Sequence, residues 1–208
     1  MTGLDWMYGR DLPLLSLTFA RGLTARELLE RMGADDSLAL RSQEDFDDEF
    51  GDLLYAEDSY VVSAGRHGEW AWAWEHDSWQ CVADDRLVCD VSMGTQALVL
   101  HANEKPMVEF RYAENGHLIT GINTVMGLHP DHYTGCDPHR FIPAMRALDA
   151  APGNGDYGPL GPRGLFFRLA EDLGVGLPHA DLTTNPVLSA ELQPRPDIDA
   201  RPPESAAP

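Results

Sequence analysis

The sequence contains almost no lysine and lacks any long apolar run. Lys105 is the single lysine among 208 residues, and Asp plus Glu total 34 against 15 for Lys plus Arg. The formal charge of −19 at pH 7 repels phosphate backbones and anionic membrane surfaces, which argues against nucleic acid as a partner. No stretch approaches the roughly 20 apolar residues of a membrane span, so we expect no membrane association. The charge suits a basic protein partner, although solubility alone also explains it.

Cysteine is scarce, and the positions of the three cysteines do not indicate a set of disulfide bonds. Cys81, Cys89 and Cys136 are odd in number and stand at unremarkable spacings. The residues from Met1 to Asp5 lack the basic and then apolar pattern of a secretion signal. We therefore expect a cytoplasmic protein whose thiols are reduced.

Motifs of the common enzyme classes are missing as well. There is no Gly-x-Ser-x-Gly nucleophile elbow and no Walker-type phosphate loop. The glycine-rich stretch 153–158 has neither a preceding strand nor a phosphate-binding lysine, so we interpret it as a flexible connector. We expect no cofactor, and a non-enzymatic protein is favoured over an enzyme.

Three tryptophans organise the middle of the chain. Trp70, Trp72 and Trp74 alternate with Ala or Glu, which predicts a strand with all three indoles on one face. Residues 60–65 are also strand-like, and His67-Gly68 is predicted as the two-residue turn of a hairpin. This register sets Gly65 against Trp70, and small residues on the other face allow both faces to be covered.

The tryptophans allow two interpretations. Core packing is the simpler one. Alternatively, Trp72, Trp74 and Trp79 line a ligand pocket, because indoles contribute strongly to binding. His76 and Asp77 are then the catalytic candidates, since histidine titrates near neutral pH and aromatic walls exclude water.

Other elements follow from capping and periodicity. Thr24 opens a capping box, which predicts a helix over residues 25–32. Asn115-Gly116 predicts a second hairpin, in which Glu109 and Arg111 are expected on a solvated face. Further strands are predicted over 14–20 and 96–102, and two C-terminal helices over 138–148 and 162–173.

These elements predict an α+β fold. We expect one mainly antiparallel sheet of five or six strands, with the N-terminal helix and the two C-terminal helices packed on one face. Residues 1–192 are expected to form a single domain. The prolines that follow Gln193 cannot enter a core element, so residues 193–208 are expected to be a disordered tail.

Carboxylates are densest between Glu44 and Asp58. Phe46 and Phe50 recur there at helical spacing, which indicates a short amphipathic helix with a charged outer face. Such a face can bind a basic partner, or it can simply be solvated. The partner-binding candidates are Asp45, Asp47, Asp48 and Glu49.

A cluster of metal-ligating residue types follows the second hairpin. His129, His132, Cys136 and His139 stand close enough in sequence to ligate zinc. Their spacing matches no known zinc module, and Asp137-Pro138 instead predicts a loop that caps a helix. We therefore expect no metal, with these four residues as candidates if one binds.

Residues 17–24, Leu-Thr-Phe-Ala-Arg-Gly-Leu-Thr, with 27–29 and 32–34 after them, resemble an actinobacterial family of small uncharacterised proteins with a domain of unknown function. Later in the chain, the resemblance to this family continues at Gly68, Trp70, Gly94-Thr95 and Asp137-Pro138. The resemblance covers roughly residues 12–150 and implies no reaction or catalytic residue. It implies a stand-alone regulatory, immunity-like or accessory role.

Two functional hypotheses follow. The first is a non-enzymatic acidic protein that binds a basic protein partner, in a regulatory, accessory or immunity-like role. The second is a small enzyme or ligand-binding domain with an aromatic pocket near Trp72, Trp74, His76 and Trp79.

Overall fold

The computed structural model describes residues 3–8, 10, 12–56, 59–105 and 107–195. In this part of the chain, eight strands form one open sheet whose pairs are all antiparallel. The strands are β1 (Leu14–Arg21), β2 (Ala39–Arg41), β3 (Val61–His67), β4 (Trp70–Glu75), β5 (Gln96–Asn103), β6 (Val108–Glu114), β7 (His117–Asn123) and β8 (Val187–Glu191). The α-helices are α1 (Ala25–Met32), α2 (Gln43–Phe50), α3 (Gln80–Ala83), α4 (Leu87–Val91), α5 (Ile142–Ala147) and α6 (Gly161–Asp172).

The order of strands across the sheet is β2-β8-β3-β4-β1-β5-β6-β7. The α+β class and the antiparallel pairing are confirmed, but the predicted number of five or six strands is wrong. The two unexpected strands, β2 and β8, pair with each other at one side of the sheet. β2 has only three residues, fewer than the roughly four to eight over which alternation indicates a strand, and β8 has five, near the lower end of that range.

The tryptophan hairpin is formed by β3 and β4, as predicted, but its turn lies one residue later. His67 pairs with Trp70, so the turn is Gly68-Glu69, and Gly68 has the positive φ of 57° that glycine tolerates. The expected pairing of Gly65 with Trp70 is wrong, because Gly65 lies opposite Trp72. A Cβ at Gly65 would come within 2.5 Å of the Trp72 ring, so the indole needs glycine beneath it.

The second hairpin, β6 and β7, turns at Asn115-Gly116 as predicted. A bulge interrupts its register between Tyr112 and Ala113. Arg111 therefore lies opposite Gly121 and not opposite Thr120, as unbroken pairing would require. Beyond the bulge, each β7 residue is displaced by one position relative to β6.

One face of the sheet, here named the aromatic face, carries large side chains. It includes the indoles of Trp70 and Trp72, both buried, with Trp74 partly buried beside them. α5 and α6 cover this face, and Phe166 of α6 packs against Phe110 of β6 with ring centroids 5.5 Å apart. The expectation that the tryptophans share one buried side of a strand is confirmed.

The opposite face, here named the alanine face, carries small side chains. Its buried apolar members on the sheet are Ala20, Val62, Ala64, Ala71, Ala73, Ala97, Val99, Ala113 and Ala190. α1 and α4 pack on it through their leucines and valines. The predicted placement of all three helices on one face is wrong, because α1 lies opposite α5 and α6. The solvated face predicted for Glu109 and Arg111 is wrong too, since α4 covers that part of β6.

Helix ends and the C-terminal segment complete the fold. The capping box at Thr24 is present, and it fixes the first turn of α1 as predicted. α5 begins only at Ile142, because residues 138–141 form a turn instead of the predicted first helical turn. Arg195 is the last described residue, and it is paired with Asp84 and Asp90. The rest of the predicted tail, residues 196–208, lies outside the described part of the chain.

Candidate functional site

Five strands bring polar side chains together at one end of the alanine face. The strand register pairs Glu75 with Ser16, Ser16 with His101, His101 with Glu109, and Glu109 with Asn123. We call these five residues the polar row. Sequence reasoning missed the row because its members are far apart in the chain. The available signal was Glu75, which continues the inward alternation of Ala71 and Ala73.

The carboxylate of Glu75 is buried and holds the start of α3. One oxygen accepts hydrogen bonds from the Ser78 hydroxyl (2.9 Å) and the Gln80 amide (2.7 Å), and the other accepts from the Cys81 amide (2.9 Å). Burial raises the pKa of Glu75, an effect that these hydrogen bonds oppose. Burial also raises the pKa of the Cys81 thiol well above its usual range, which leaves it a poor nucleophile.

Ser16 and His101 form a hydrogen-bonded pair that does not activate the serine. The Ser16 hydroxyl donates to the carbonyl of Ser78 (2.6 Å), so it accepts from Nδ1 of His101 (3.0 Å). A general base would instead have to accept the serine proton. Burial, assisted by the positive charge of Arg111, lowers the pKa of His101 to about 4. The pair is therefore a neutral and structural one.

A cavity of about 360 Å³ opens at the outer end of the polar row. Nη2 of Arg111 lies 2.6 Å from one carboxylate oxygen of Glu109 in an ion pair, and the side-chain amide of Asn123 donates to the other oxygen (2.8 Å). Asp85 lies 3.0 Å from Nη1 of Arg111, but the N–H is not aligned for a hydrogen bond. Burial raises the pKa of Glu109, and the Arg111 charge counteracts it. We call this space the Arg111 cavity.

The tryptophans predicted to line a pocket are not brought together. Trp72 is completely buried in the core, whereas Trp79 leaves 56% of its surface exposed just before α3. Trp74 is partly buried and stacks between Trp6, at 6.2 Å between ring centroids, and His76, at 6.3 Å. This arrangement is a packed aromatic stack and not a shared pocket wall.

The two catalytic candidates beside the tryptophans are also separate. Nε2 of His76 lies 2.8 Å from the hydroxyl of Ser63, and the imidazole packs against Phe46. Burial lowers the pKa of His76 to about 4. Asp77 is exposed in a left-handed conformation with φ of 50°, and no hydrogen bond joins it to His76 among the described residues. The Ser63 side chain is buried, so a substrate cannot reach the hydroxyl that lies beside His76.

The four metal candidates lie along one loop without converging. The rings of His129 and His132 are 5.8 Å apart between centroids, and Nε2 of His139 faces the carbonyl of Pro130 at 3.4 Å. The amide of Cys136 pairs with β7, and its thiol side is exposed. Within residues 3–195, where the structure describes them, no three His, Cys, Asp or Glu side chains are placed to hold a metal ion.

The glycine-rich stretch 153–158 has the spacing Gly-x-Gly-x-x-Gly but not the setting of a nucleotide loop. It lies between α5 and α6 and closes on itself through a bridge between Ala151 and Asp156. A dinucleotide-binding loop instead leaves the end of a parallel strand and enters a helix. The stretch is a connector, as the sequence analysis expected.

α2 presents the acidic candidates, which divide into two pairs. Asp45 accepts from the Ser42 amide and hydroxyl in a capping box, and Glu49 binds the buried guanidinium of Arg41 at 2.6 Å. These bonds lower the pKa of both carboxyls. Asp47 and Asp48 are exposed, and they form no ion pair with any described residue. Glu57 and Asp58, at the end of the predicted acidic run, lie outside the described residues.

A family model matches residues 13–158, and its description is "Family of unknown function (DUF6461)". The chain belongs to this family. The match contains the whole polar row and the Arg111 cavity, whereas α6 and β8 follow it. The resemblance to a family of uncharacterised proteins is therefore confirmed, and the family carries no assigned reaction.

No curated protein and no solved structure matches the chain. In the part of the chain that the structure describes, every helix is too short or too polar to cross a bilayer.

Proposed function

We propose that the protein is a non-enzymatic binding protein that engages a basic protein partner through the outer face of α2. A regulatory, accessory or immunity-like role follows from such binding, in the cytoplasm. The single observation that carries the proposal is the pair of exposed carboxylates of Asp47 and Asp48, which have no ion-pair partner among the described residues and lie on a helix that is anchored at both ends.

The anchoring matters because it orients the charges before a partner arrives. Ser42 and Asp45 fix the first turn of α2, and Arg41 holds its last turn through Glu49. Arg41 in turn donates to the carbonyls of Ser37 and Ser189 in the sheet. A helix fixed in this way presents its carboxylates with little loss of conformational entropy on binding.

Long-range electrostatics support the same proposal. A net charge of −19 raises the rate at which a basic protein meets this surface, and it repels nucleic acids. The nucleophiles next to a histidine, Ser16 and Ser63, are both buried, which favours binding over catalysis.

The test is affinity capture followed by titration. Immobilised protein captures partners from an extract of its source organism at low salt, and washes of rising salt release them. The recovered protein is purified and titrated against wild type and the double variant Asp47→Asn/Asp48→Asn. We expect a basic partner, with affinity falling about tenfold in the variant and mainly through the association rate.

A matched control carries the same charge change elsewhere. Asp131→Asn/Asp149→Asn also removes two exposed carboxylates, but from loops after β7 and α5. Equal affinities of the α2 variant and wild type would contradict the proposal. Turnover of a substrate by the purified protein would contradict its non-enzymatic part.

A further inference from the structure

The Arg111 cavity is a candidate site for a small ligand, independent of the surface of α2. Its volume of about 360 Å³ falls at the lower end of the range for small-molecule sites. The floor is polar, with Glu109 and Arg111, and Leu118 of β7 adds a partly buried apolar side chain to the wall. Asp85 and Thr134 also line it. A ligand that fits must combine charged groups with a small apolar part.

The guanidinium of Arg111 offers one donor that the protein itself uses poorly. Nη2 is bound to Glu109, whereas Nη1 is buried and has no aligned acceptor among the described residues. A carboxylate oxygen of Asp85 lies 3.0 Å from Nη1, but 84% of the Asp85 side chain is exposed to solvent. An exposed side chain with one misaligned contact can rotate aside, and a ligand carboxylate can then take its place on Nη1.

The charges of the cavity favour an ammonium group on the same ligand. Two carboxyl groups, those of Asp85 and Glu109, line the cavity together with one guanidinium, that of Arg111, and the imidazole of His132. Once displaced from Arg111, Asp85 is free to accept from a neighbouring cation at the mouth. The hydroxyl of Thr134, which also lines the cavity, provides a further acceptor.

We propose that the Arg111 cavity binds a free α-amino acid with an apolar side chain. Arg111 binds the carboxylate, Asp85 binds the ammonium group, and Leu118 contacts the side chain. An amine alone leaves Nη1 without an acceptor, and a carboxylate alone brings Asp85 and the ligand together as like charges. A ligand that carries both groups on one carbon atom satisfies the cavity.

The test is calorimetric titration with L-leucine and two fragments of it. 4-Methylpentanoate lacks the ammonium group and isopentylamine lacks the carboxylate. We expect L-leucine to bind and each fragment to bind at least about tenfold more weakly. No heat with L-leucine, L-valine or L-phenylalanine, or equal binding of either fragment, would overturn the proposal.

Variants at the mouth of the cavity sharpen the test without disturbing the core. Asp85→Asn should weaken L-leucine about tenfold and leave 4-methylpentanoate nearly unchanged or slightly improved. Asp36→Asn is the matched control, because Asp36 is an exposed aspartate away from the cavity. Arg111→Lys, checked for folding by circular dichroism, should also weaken L-leucine, since lysine lacks the planar fork. Unchanged affinity in Asp85→Asn overturns the assignment, whatever the outcome at α2.

Discussion

The two faces of the sheet are stabilised in different ways. The aromatic face buries large rings, and α6 packs its own phenylalanines among them. The alanine face buries small side chains, so α1 and α4 lie on a flat surface that ends in the polar row. Apolar area dominates the first face. The second depends more on hydrogen bonds that must be satisfied, and it is the face that borders the Arg111 cavity.

The largest expected effect is a loss of folding stability on the aromatic face. Trp72→Ala removes a completely buried indole and leaves a cavity, so we expect a loss of about 3–5 kcal/mol in the free energy of unfolding. Urea unfolding followed by circular dichroism measures it. Trp79→Ala is the control, because Trp79 is 56% exposed and its loss should cost less than about 1 kcal/mol.

The next largest effect is expected in the polar row, at the buried carboxylate of Glu75. Glu75→Gln replaces one acceptor oxygen by a donor that faces existing donors, and we expect a loss of about 2–3 kcal/mol. Glu69→Gln makes the same chemical change in an exposed pair with Arg21, where about 0.5 kcal/mol or less is expected. Equal costs at the two positions would show that the buried hydrogen bonds of Glu75 contribute little.

Acid should weaken the fold through His76. Its pKa is about 4 in the folded protein and about 6.5 when unfolded, so the unfolded chain takes up the proton first as pH falls. The stabilisation is complete above about pH 6.5, and about 2 kcal/mol of it is lost by about pH 5. His101 acts in the same direction, whereas the raised pKa values of Glu75 and Glu109 act in the opposite one.

The difference between two variants isolates the contribution of His76. His76→Asn should flatten the decline of unfolding free energy between about pH 6.5 and 5. His117→Asn removes an exposed histidine and should leave the decline as it is in wild type. Identical pH profiles for His76→Asn and wild type would contradict the assignment.

The smallest effect distinguishes satisfied from unsatisfied polar groups on the alanine face. The hydroxyl of Thr18 is buried without a hydrogen-bond partner in the described part of the chain. Thr18→Val should therefore be neutral or stabilise by up to about 1 kcal/mol. Ser16→Ala removes a hydroxyl bonded on both sides and should cost about 1–2 kcal/mol. The reverse order of these two values would contradict the comparison.

Local signals in the sequence predicted much of the fold. The capping box at Thr24, the turn at Asn115-Gly116 and the alternation of the tryptophans each depend on neighbouring residues alone. The turn of the first hairpin was misplaced because its position depends on Gly65 fitting beneath Trp72, a contact between two strands. Alternation also assigned Arg111 to solvent, since it cannot anticipate a helix that covers the second face.

The candidate site was harder to predict for the same reason. The polar row exists only when five strands are in register, and the Arg111 cavity needs Asp85 from the segment before α4 as well. The sequence predicted the acidic helix α2. It did not predict which of its carboxylates are bonded within the protein and which are exposed without an ion pair to a described residue. Arg41, which occupies Glu49, belongs to a strand too short to be predicted.

β8 lies between β2 and β3, although it is the last strand of the described chain. During synthesis, β2 has no strand to pair with until residues 187–191 have left the ribosome, and β3 has an open edge until then. A fragment that stops at residue 158, where the family match ends, would retain that open edge permanently. Such a fragment should associate through β3.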